Sequence, residues 1–301
     1  MKEKKMKTLG IKKNFLAIEK EYSSYENSQI AILSAPFEKT VSYGKGTANG
    51  PKEILKTSHY VEFYDEELDR ELCFEKGIVT LSELKFKDLS VKKSIDKIYK
   101  NVKKLVDDKK FVVTLGGEHS LSSAPAKAHF EAFENLSILQ IDAHSDFRET
   151  YEGSKYSHAS VMARVVEFTK DIVQVGIRAQ CIEESKFIKE NKIKTYYMRD
   201  IREGKFGVNW QNKVVNDLKE NVYVTFDVDG LDPSLIGATG TPEPGGLLWD
   251  ETMSLFKQVG MKKNIVGFDV VELAPSKHDE SSSFNTAKLV YKLLNYSFIN
   301  K

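Results

Sequence analysis

The sequence has little cysteine: Cys73 and Cys181 are the only two, and they lie far apart in no metal-binding or redox spacing. Two isolated thiols exclude a disulfide framework and are typical of a reducing compartment. No apolar run approaches the roughly 18 residues that a transmembrane helix needs. The Lys-rich first 13 residues lead into no apolar stretch of the signal-peptide kind. We therefore expect a cytoplasmic protein with no membrane partner.

The sequence also lacks an excess of charge of either sign. It has 45 Lys and Arg residues against 44 Asp and Glu residues, for a formal net charge of +1. Such a balance creates no strong field for a nucleic acid, so we expect no nucleic-acid partner. With 41% hydrophobic residues in 301, the chain has enough apolar material for the core of a globular protein.

Beyond a polar, Lys- and Glu-rich arm at residues 1–28, the pattern predicts one domain over residues 29–301. Short apolar runs alternate there with helical stretches, such as the amphipathic Lys87–Asp108. The runs are apolar almost throughout, as expected for strands buried on both faces. They are Ile30–Phe37, Phe111–Leu115, Leu136–Ile141, Ile172–Ile177, Thr195–Met198, Val222–Val228 and Ile265–Leu273. Alternating strands and helices predict an α/β fold with a doubly wound, mostly parallel sheet.

A sheet of this kind binds its ligands beyond the carboxyl ends of its strands. Three apolar runs are followed there by His and Asp residues, in the segments 116–120, 142–146 and 227–233. Strand alternation predicts that Asp142, His144 and Asp146 point to one side, as do Asp227 and Asp229. With His119, this places four carboxylates and two imidazoles at one end of the sheet.

Four anions gathered in one place repel each other unless cations balance them. Two divalent ions supply four positive charges, so the count of ligands predicts a binuclear metal site. Carboxylate-rich sites suit Mg²⁺, Ca²⁺ or Mn²⁺, whereas imidazole suits transition metals. Mn²⁺ satisfies both preferences, and we expect two Mn²⁺ ions per subunit, with iron, cobalt or nickel as substitutes.

Each motif alone has a simpler interpretation. A single Asp-x-His-x-Asp is more often a hydrogen-bonded loop, and Gly116-Gly117 can be an ordinary strand-to-helix turn. Asp227-x-Asp-Gly resembles a turn or an incomplete calcium loop. The presence of all three motifs after strands of one chain favours the metal site.

Taken together, the motifs resemble the ureohydrolase family (arginase, agmatinase and their relatives) and are most similar to its agmatinase branch. The matching segments are Gly116–Ser120, Asp142–Asp146, Ser157–Ser160, Asp227–Pro233, Ala238–Gly246 and Val271–Leu273. The resemblance implies a three-layer α/β/α sandwich and assembly as a homo-oligomer, a trimer or a hexamer. It also implies that His119, Asp142, Asp146 and Asp227 hold one metal, and that Asp142, His144, Asp227 and Asp229 hold the other.

The chemistry implied is attack of a metal-generated hydroxide on a guanidinium carbon, which releases urea and an amine. Asp146 would hydrogen-bond the hydroxide, and His158 would carry a proton to the leaving amine. Glu272 would pair with the substrate's guanidinium group, and Glu243 would face the substrate cavity. The simpler interpretations are a capping histidine, a solvated strand-end acid and a rigid Pro-Glu-Pro turn.

For the substrate, the segment 147–157 lacks the Asn and small hydroxyl residues of the arginase pattern. Its acidic Glu149 and Glu152 suit a cationic substrate without a carboxylate. We therefore predict agmatine, hydrolysed to putrescine and urea in polyamine biosynthesis. Guanidinobutyrate, arginine or another guanidino compound remains the first alternative. A non-catalytic, metal-binding regulatory homologue is an alternative of a different class.

Overall fold

The computed structural model describes residues 6–301, so the first five residues of the predicted N-terminal arm lie outside it. Eight strands form a single parallel sheet. They are β1 (Ile30–Ala35), β2 (Ile78–Thr80), β3 (Phe111–Gly116), β4 (Leu136–Ile141), β5 (Ile172–Val175), β6 (Lys194–Tyr196), β7 (Asn221–Asp227) and β8 (Asn264–Val271). Their order across the sheet is β2-β1-β3-β8-β7-β4-β5-β6.

Helices connect the strands. The α-helices are α1 (Lys20–Ser23), α2 (Gly50–Thr57), α3 (Leu72–Lys76), α4 (Val91–Asp107), α5 (Ser123–Phe130), α6 (Val161–Val165), α7 (Ile182–Asn191), α8 (Met198–Arg202), α9 (Trp210–Asp217), α10 (Trp249–Lys262) and α11 (Glu280–Ser297). Short 3-10 helices lie at Phe15–Ala17, Thr47–Asn49, Ser58–Tyr60, His119–Ser122, His158–Ser160 and Val228–Gly230.

Both faces of the sheet are covered. On β1, Ile30 and Ile32 pack into a core shared with α2, α9, α10 and α11, whereas Ala31 and Leu33 pack on the opposite face with α4 and α5. At the other end of the sheet, α6 and α7 continue that second helical layer. Alternate residues of one strand thus enter different cores, as the pleat requires. The fold is the expected three-layer α/β/α sandwich with a parallel sheet.

The sequence pattern predicted seven of the eight strands, and four of those seven end two residues before the predicted bound. The run Thr195–Met198 is strand only to Tyr196, because Met198 begins α8. The edge strand β2 was not predicted, since its three residues are too few to show a period. The predicted helix Lys87–Asp108 begins at Val91, where the side chain of Ser90 accepts a hydrogen bond from the Lys93 amide and caps the first turn.

The described part of the N-terminal arm packs against the rest of the protein. Phe15, Leu16 and Ile18 are buried in the core that α2 and α11 share, and the amide of Leu9 donates to the carbonyl of Thr80 on β2 (2.8 Å). Among the helices of residues 6–301, none combines the length and the apolar character needed to cross a bilayer.

The strand order explains where a site can form. The four central strands, β3, β8, β7 and β4, are adjacent although they are far apart in the chain. Their carboxyl ends lead directly to His119, Glu272, Asp227 and Asp142. The chain order reverses in this region, which is where doubly wound sheets form their binding crevice.

Candidate metal centre and its cavity

The turn after β3 places His119. The chain passes so close to the neighbouring segment that a Cβ on Gly117 would lie 2.0 Å from the carbonyl oxygen of Phe37, so only glycine fits there. The carbonyl of Gly117 accepts a hydrogen bond from the amide of Glu272 (2.8 Å). This bond ties the end of β3 to the end of β8 and brings His119 beside Glu272.

The segment after β4 places Asp142, His144 and Asp146, but not by strand alternation. The strand ends at Ile141, so the predicted geometric reason is wrong although the three side chains do converge. A turn brings them together: the amide of His144 donates to Asp142 Oδ1 (2.6 Å). Asp146 adopts a left-handed backbone conformation (φ 57°), while its carbonyl accepts from the amides of Met162 and Ala163.

The end of β7 places Asp227 and Asp229. Asp227 Oδ1 accepts a hydrogen bond from the amide of Asp229 (3.0 Å), which begins a short 3-10 helix. Asp229 Oδ1 in turn accepts from the amide of Ala143 (3.1 Å). The segments after β4 and β7 are therefore joined to each other by a hydrogen bond from a backbone amide to a carboxylate, in addition to the pairing of the two strands.

The structure brings all six predicted ligand residues together. We call this group, His119, Asp142, His144, Asp146, Asp227 and Asp229, the six-residue cluster. The Nδ1 atom of His119 lies 3.0 Å from Asp142 Oδ2, 3.2 Å from Asp146 Oδ2 and 3.3 Å from Asp227 Oδ2. The Nδ1 atom of His144 lies 3.0 Å from Asp229 Oδ2 and 3.6 Å from Asp142 Oδ1. Two groups with metal-ligand spacing thus share Asp142.

The hydrogen bonds between His119, Thr225 and Asp269 show that Nε2 of His119 carries a hydrogen. Its Nε2 atom lies 2.9 Å from Thr225 Oγ1, and Thr225 donates its own hydrogen to Asp269 Oδ1 (2.8 Å). Ser122 and Tyr223 donate to the same buried carboxylate. Because Thr225 uses its hydrogen on Asp269, its oxygen accepts one from Nε2, which leaves the Nδ1 of His119 to carry the lone pair whenever the imidazole is neutral.

That tautomer fits a metal ligand. The buried Nδ1 atom faces three carboxylate oxygens, which outweigh the effect of burial and raise the pKa of His119, and the arrangement is repulsive unless a proton or a metal ion lies between them. A histidine that ligates a metal through one nitrogen and donates from the other to an oriented acceptor is the usual arrangement. The residues present therefore fit a cation at this position.

The acidity of the cluster leads to the same conclusion. Burial, followed by the neighbouring carboxylates Asp229 and Asp142, raises the pKa of Asp227 well above its ordinary range. Burial and the charge of Asp142 raise the pKa of Asp146 to about 7. Burial opposes a charge on His144, but Asp229 and Asp142 outweigh it and raise its pKa to about 12. The cluster attracts positive charge, and two divalent ions would balance four carboxylates.

Four members of the cluster line a cavity of about 270 Å³. The predicted substrate residues His158, Glu272 and Glu243 line the same cavity. Several of the residues that line it are partly or fully exposed, and we call four of them the rim: Tyr43, Arg148, Tyr151 and Glu243. The structure therefore brings every predicted site residue into the cluster or onto the wall of one cavity.

Glu272 lies at the inner end of the cavity. It is 8% exposed and has a left-handed backbone conformation (φ 66°) just after β8. Its Oε1 atom accepts a hydrogen bond from the amide of His119 (2.6 Å). Burial raises the pKa of Glu272 well above its ordinary range, and the negative charge of Glu118 adds to the effect. A cation bound beside Glu272 would offset that shift.

His158 lies on the wall of the cavity. Its amide donates to Thr40 Oγ1 (3.2 Å), and Thr40 is itself held by Glu118, which accepts from its amide and its hydroxyl, both at 2.7 Å. The segment of His158 is therefore anchored to the turn that follows β3. Burial lowers the pKa of His158, which favours the neutral form of the imidazole.

Glu243 lies at the rim, with its side chain 39% exposed and its Oε1 atom 3.9 Å from His144 Nε2. Arg178, which the sequence pattern did not single out, holds this segment in place. Its Nη2 atom donates to the carbonyls of Glu243 (2.8 Å) and Asp229 (2.6 Å). The guanidinium group of Arg178 thus donates its hydrogen bonds to backbone carbonyls. Arg178 thereby links the Glu243 loop to the cluster.

The interpretation of the 147–157 segment was partly wrong. Glu149 is turned away from the cavity, where its Oε1 atom pairs with Arg164 Nη2 (2.9 Å), and Glu152 does not line the cavity either. The residues of this segment that do line the cavity are Arg148 and Tyr151. No period or motif marks them, because the path of the loop decides which of its side chains turn inward.

The chain is similar to known proteins over most of its length. The chain matches the arginase family over residues 28–295. It is 37% identical over 290 residues to the N(1)-aminopropylagmatine ureohydrolase of Synechocystis, with 94% of each chain covered. It is 35% identical over 285 residues to the agmatinase of Bacillus anthracis, covering 91% of this chain and 94% of that one. The solved agmatine ureohydrolase of Thermoplasma volcanium superposes with a TM-score of 0.83 at 27% identity, covering 99% of this chain and 96% of that one.

Proposed function

This chain belongs to the arginase family, whose members hydrolyse guanidino compounds with a binuclear metal centre, and we propose that its substrate is agmatine, hydrolysed to putrescine and urea. The observation that carries the proposal is the shared cavity. It joins the six-residue cluster to a deep carboxylate, Glu272, and to a second carboxylate at the rim, Glu243. A guanidinium group at one end of the substrate and an ammonium at the other would match this arrangement.

The charge of the cavity also favours a substrate without a carboxylate. Among the described residues that line it, the only Lys or Arg is Arg148. Its guanidinium lies over the ring of Tyr151, 5.2 Å from the centroid, and its Nε atom is 3.9 Å from Glu184 Oε2. Because Arg148 already faces an aromatic ring and a carboxylate, it is poorly placed to attract the carboxylate of arginine or guanidinobutyrate.

The metals are proposed to be two Mn²⁺ ions, since carboxylate oxygens dominate the cluster and imidazole completes it. The residues that would hold one ion are His119, Asp142, Asp146 and Asp227, and those that would hold the other are Asp142, His144, Asp227 and Asp229. When bound, two such ions lower the pKa of water and supply a nucleophile at neutral pH.

The remaining residues would bind and orient the substrate and move its proton. Because Oε1 of Glu272 accepts the His119 amide, its Oε2 atom is left to accept from the guanidinium of the substrate. Hydrolysis joins a water oxygen to the guanidinium carbon and breaks the bond from that carbon to the alkylated nitrogen. That nitrogen must gain a proton before putrescine leaves, and we assign the transfer to His158. Asp146 would accept the proton that the attacking water loses and pass it on.

N(1)-aminopropylagmatine is a second candidate substrate. The relative from Synechocystis carries that name and is 37% identical to this chain. The compound has the same guanidinium end as agmatine with a longer, amine-bearing tail. That tail would extend past the rim, where Tyr43 is 79% exposed.

Urea release by the purified, Mn²⁺-loaded protein tests the proposal. Agmatine, N(1)-aminopropylagmatine, arginine and guanidinobutyrate should be offered side by side, and we expect the highest kcat/KM for agmatine. Preference for the longer amine would select the second candidate. Preference for arginine or guanidinobutyrate would contradict our interpretation of Arg148. Absence of urea from all four compounds, in protein shown to bind two metals, would favour a non-catalytic role.

We also propose that the protein is a homo-oligomer, a trimer or a hexamer. Light scattering coupled to gel filtration would measure the mass directly. A mass of one 34.2 kDa chain would contradict this proposal without affecting the one on the substrate.

A further inference from the structure

The hydrogen bonds of the His158 side chain do not fix its orientation. Its Nε2 atom lies 3.5 Å from Ser42 Oγ, and its Nδ1 atom lies 3.4 Å from Ser157 Oγ. Both distances exceed the 2.7–3.2 Å of a well-formed hydrogen bond, so both contacts are weak. The 3.2 Å bond from the amide of His158 to Thr40 holds the main chain and leaves the ring free to turn. Another contact must therefore orient the imidazole.

That contact is with Tyr151. The centroids of the two rings are 5.6 Å apart, and their planes meet at 78°. An edge-to-face arrangement at this distance is favourable because the positive edge of one ring meets the negative face of the other. Both rings line the same cavity. Rotation of the imidazole about its side-chain bonds would break this contact.

Tyr151 is itself held from two sides. Its amide and carbonyl exchange hydrogen bonds with Ser154, both at 2.9 Å, which closes a tight turn. On the ring side, the guanidinium of Arg148 lies 5.2 Å from the ring centroid. The amide of Arg148 donates to the carbonyl of Ala159 (3.1 Å), next to His158. The loop therefore closes on itself, with the tyrosine between the arginine and the histidine.

The start of this loop is anchored by a buried carboxylate. Glu184, 3% exposed, accepts hydrogen bonds from the amides of Phe147 (2.9 Å) and Cys181 (2.7 Å). Its Oε2 atom is also 3.9 Å from the Nε atom of Arg148. Glu184, Arg148, Tyr151 and His158 thus form a series of neighbouring side chains that begins at the start of α7 and follows the wall of the cavity.

We propose that Tyr151, braced by Arg148, is a positioning residue that sets the orientation of the His158 imidazole for proton transfer. The inference rests on the proposed role of His158. It predicts that loss of the Tyr151 ring lowers turnover because the imidazole no longer points at the leaving nitrogen. A role of Tyr151 in binding the substrate tail would instead raise KM and leave kcat unchanged.

The first test uses the full-length, Mn²⁺-loaded enzyme and its agmatine kinetics. For Tyr151→Leu we expect kcat to fall by about 10- to 100-fold, the scale of a misplaced catalytic group, with KM within about twofold of wild type. Tyr151→Phe keeps the ring and should restore most of kcat. Tyr156→Leu is the matched control, since Tyr156 lies in the same loop but does not line the cavity. Unchanged kcat in Tyr151→Leu, or a change in KM alone, would overturn the inference.

A double mutant separates positioning from a general loss of structure. In a His158→Ala background the imidazole is gone, so Tyr151→Leu should cause no further loss of kcat. If the loss of kcat in the double variant equalled the product of the two single losses, Tyr151 would act independently of His158. That result would overturn the inference. Full activity of His158→Ala alone would instead contradict the proposed role of His158.

A measurement without any substrate keeps the inference testable if agmatine is not the substrate. The chain has six histidines, and the NMR signal of the His158 ring can be assigned by its loss in His158→Ala. A tyrosine packed edge-to-face against that ring shifts its C–H resonances. We expect these to move in Tyr151→Leu and in Arg148→Gln, but not in Tyr156→Leu. Unmoved resonances in the first two variants would overturn the inference whatever the substrate.

Discussion

The six-residue cluster and the rim belong to the same cavity, but they are built differently. Members of the cluster follow the ends of central strands, and five of the six are buried. Hydrogen bonds from backbone amides to the carboxylates, such as Asp229 N to Asp227 Oδ1, hold them. The rim side chains come from three surface loops, and two of them, Arg148 and Tyr151, contact each other. The ends of the sheet strands therefore position the proposed metal ligands, whereas surface loops position the side chains at the cavity entrance.

The largest effect should come from removing charge inside the cluster. Asp227→Asn replaces an oxygen anion that both metals are proposed to share, so we expect loss of tight metal binding and loss of urea release together. Metal content by mass spectrometry and a urea assay check this. Normal metal content with full turnover would contradict the assignment.

The same variant has a control that excludes misfolding. Without metal, burial and neighbouring anions make the charge of Asp227 unfavourable, and Asn removes that charge. Chelator-treated Asp227→Asn should therefore melt at or above the temperature of chelator-treated wild type. Added Mn²⁺ should raise the Tm of the wild type only.

The next effect tests a residue on the cavity wall outside the cluster. His158→Ala should keep its metal but lose about 10²- to 10⁴-fold in kcat, the usual contribution of a general acid or base. The result would separate metal binding from proton transfer within one cavity. Loss of metal from this variant would show that the two regions are not independent.

A smaller effect should follow from removing the hydrogen bond that Nε2 of His119 makes outside the cluster. Thr225→Val removes the oxygen that accepts from Nε2 of His119, and we expect metal affinity to fall by about 10- to 100-fold. Ser122→Ala is the matched control, since Ser122 donates to the same Asp269 without touching His119. If both variants lost metal affinity equally, the loss would come from the altered surroundings of Asp269 and not from the hydrogen bond to His119.

The rim should give weaker effects that depend on the substrate. Glu243→Gln removes a charge from a side chain that is 39% exposed, so we expect the KM for agmatine to rise by no more than about fivefold, which corresponds to about 1 kcal/mol. Butylguanidine, which lacks the distal amine, should inhibit wild type and variant equally. If the variant bound agmatine and butylguanidine more weakly by the same factor, Glu243 would not recognise the distal ammonium.

The difference between the two regions also explains what the sequence could predict. Apolar runs gave the strands well, and β4 matches its predicted bounds, because strands buried on both faces are apolar throughout. The cluster could be predicted because its residues follow such runs directly. The reason offered for its convergence was wrong, since the left-handed conformation of Asp146 (φ 57°) cannot be predicted from a period of two.

The rim could not be predicted in the same way. A loop has no periodicity, and the hydrogen bonds that set its path join residues far apart in the chain, such as Phe147 and Glu184. The acidic residues of the loop suggested a cation site by composition alone. Glu149 instead pairs with Arg164, neither Glu149 nor Glu152 lines the cavity, and no motif marks the inward-facing residues Arg148 and Tyr151.

The smallest expected effect tests whether Glu149 lies outside the substrate site. Glu149 is 83% exposed and pairs with Arg164 outside the cavity, so Glu149→Gln should leave the KM for agmatine within about twofold and cost about 1 kcal/mol of stability or less. Arg164→Met should cost more, because Arg164 is 5% exposed and also donates to the carbonyl of Lys155 (3.0 Å). Urea denaturation and agmatine kinetics on both variants measure the two quantities. A large rise in KM for Glu149→Gln alone would show that Glu149 contributes to substrate binding, as expected from the sequence.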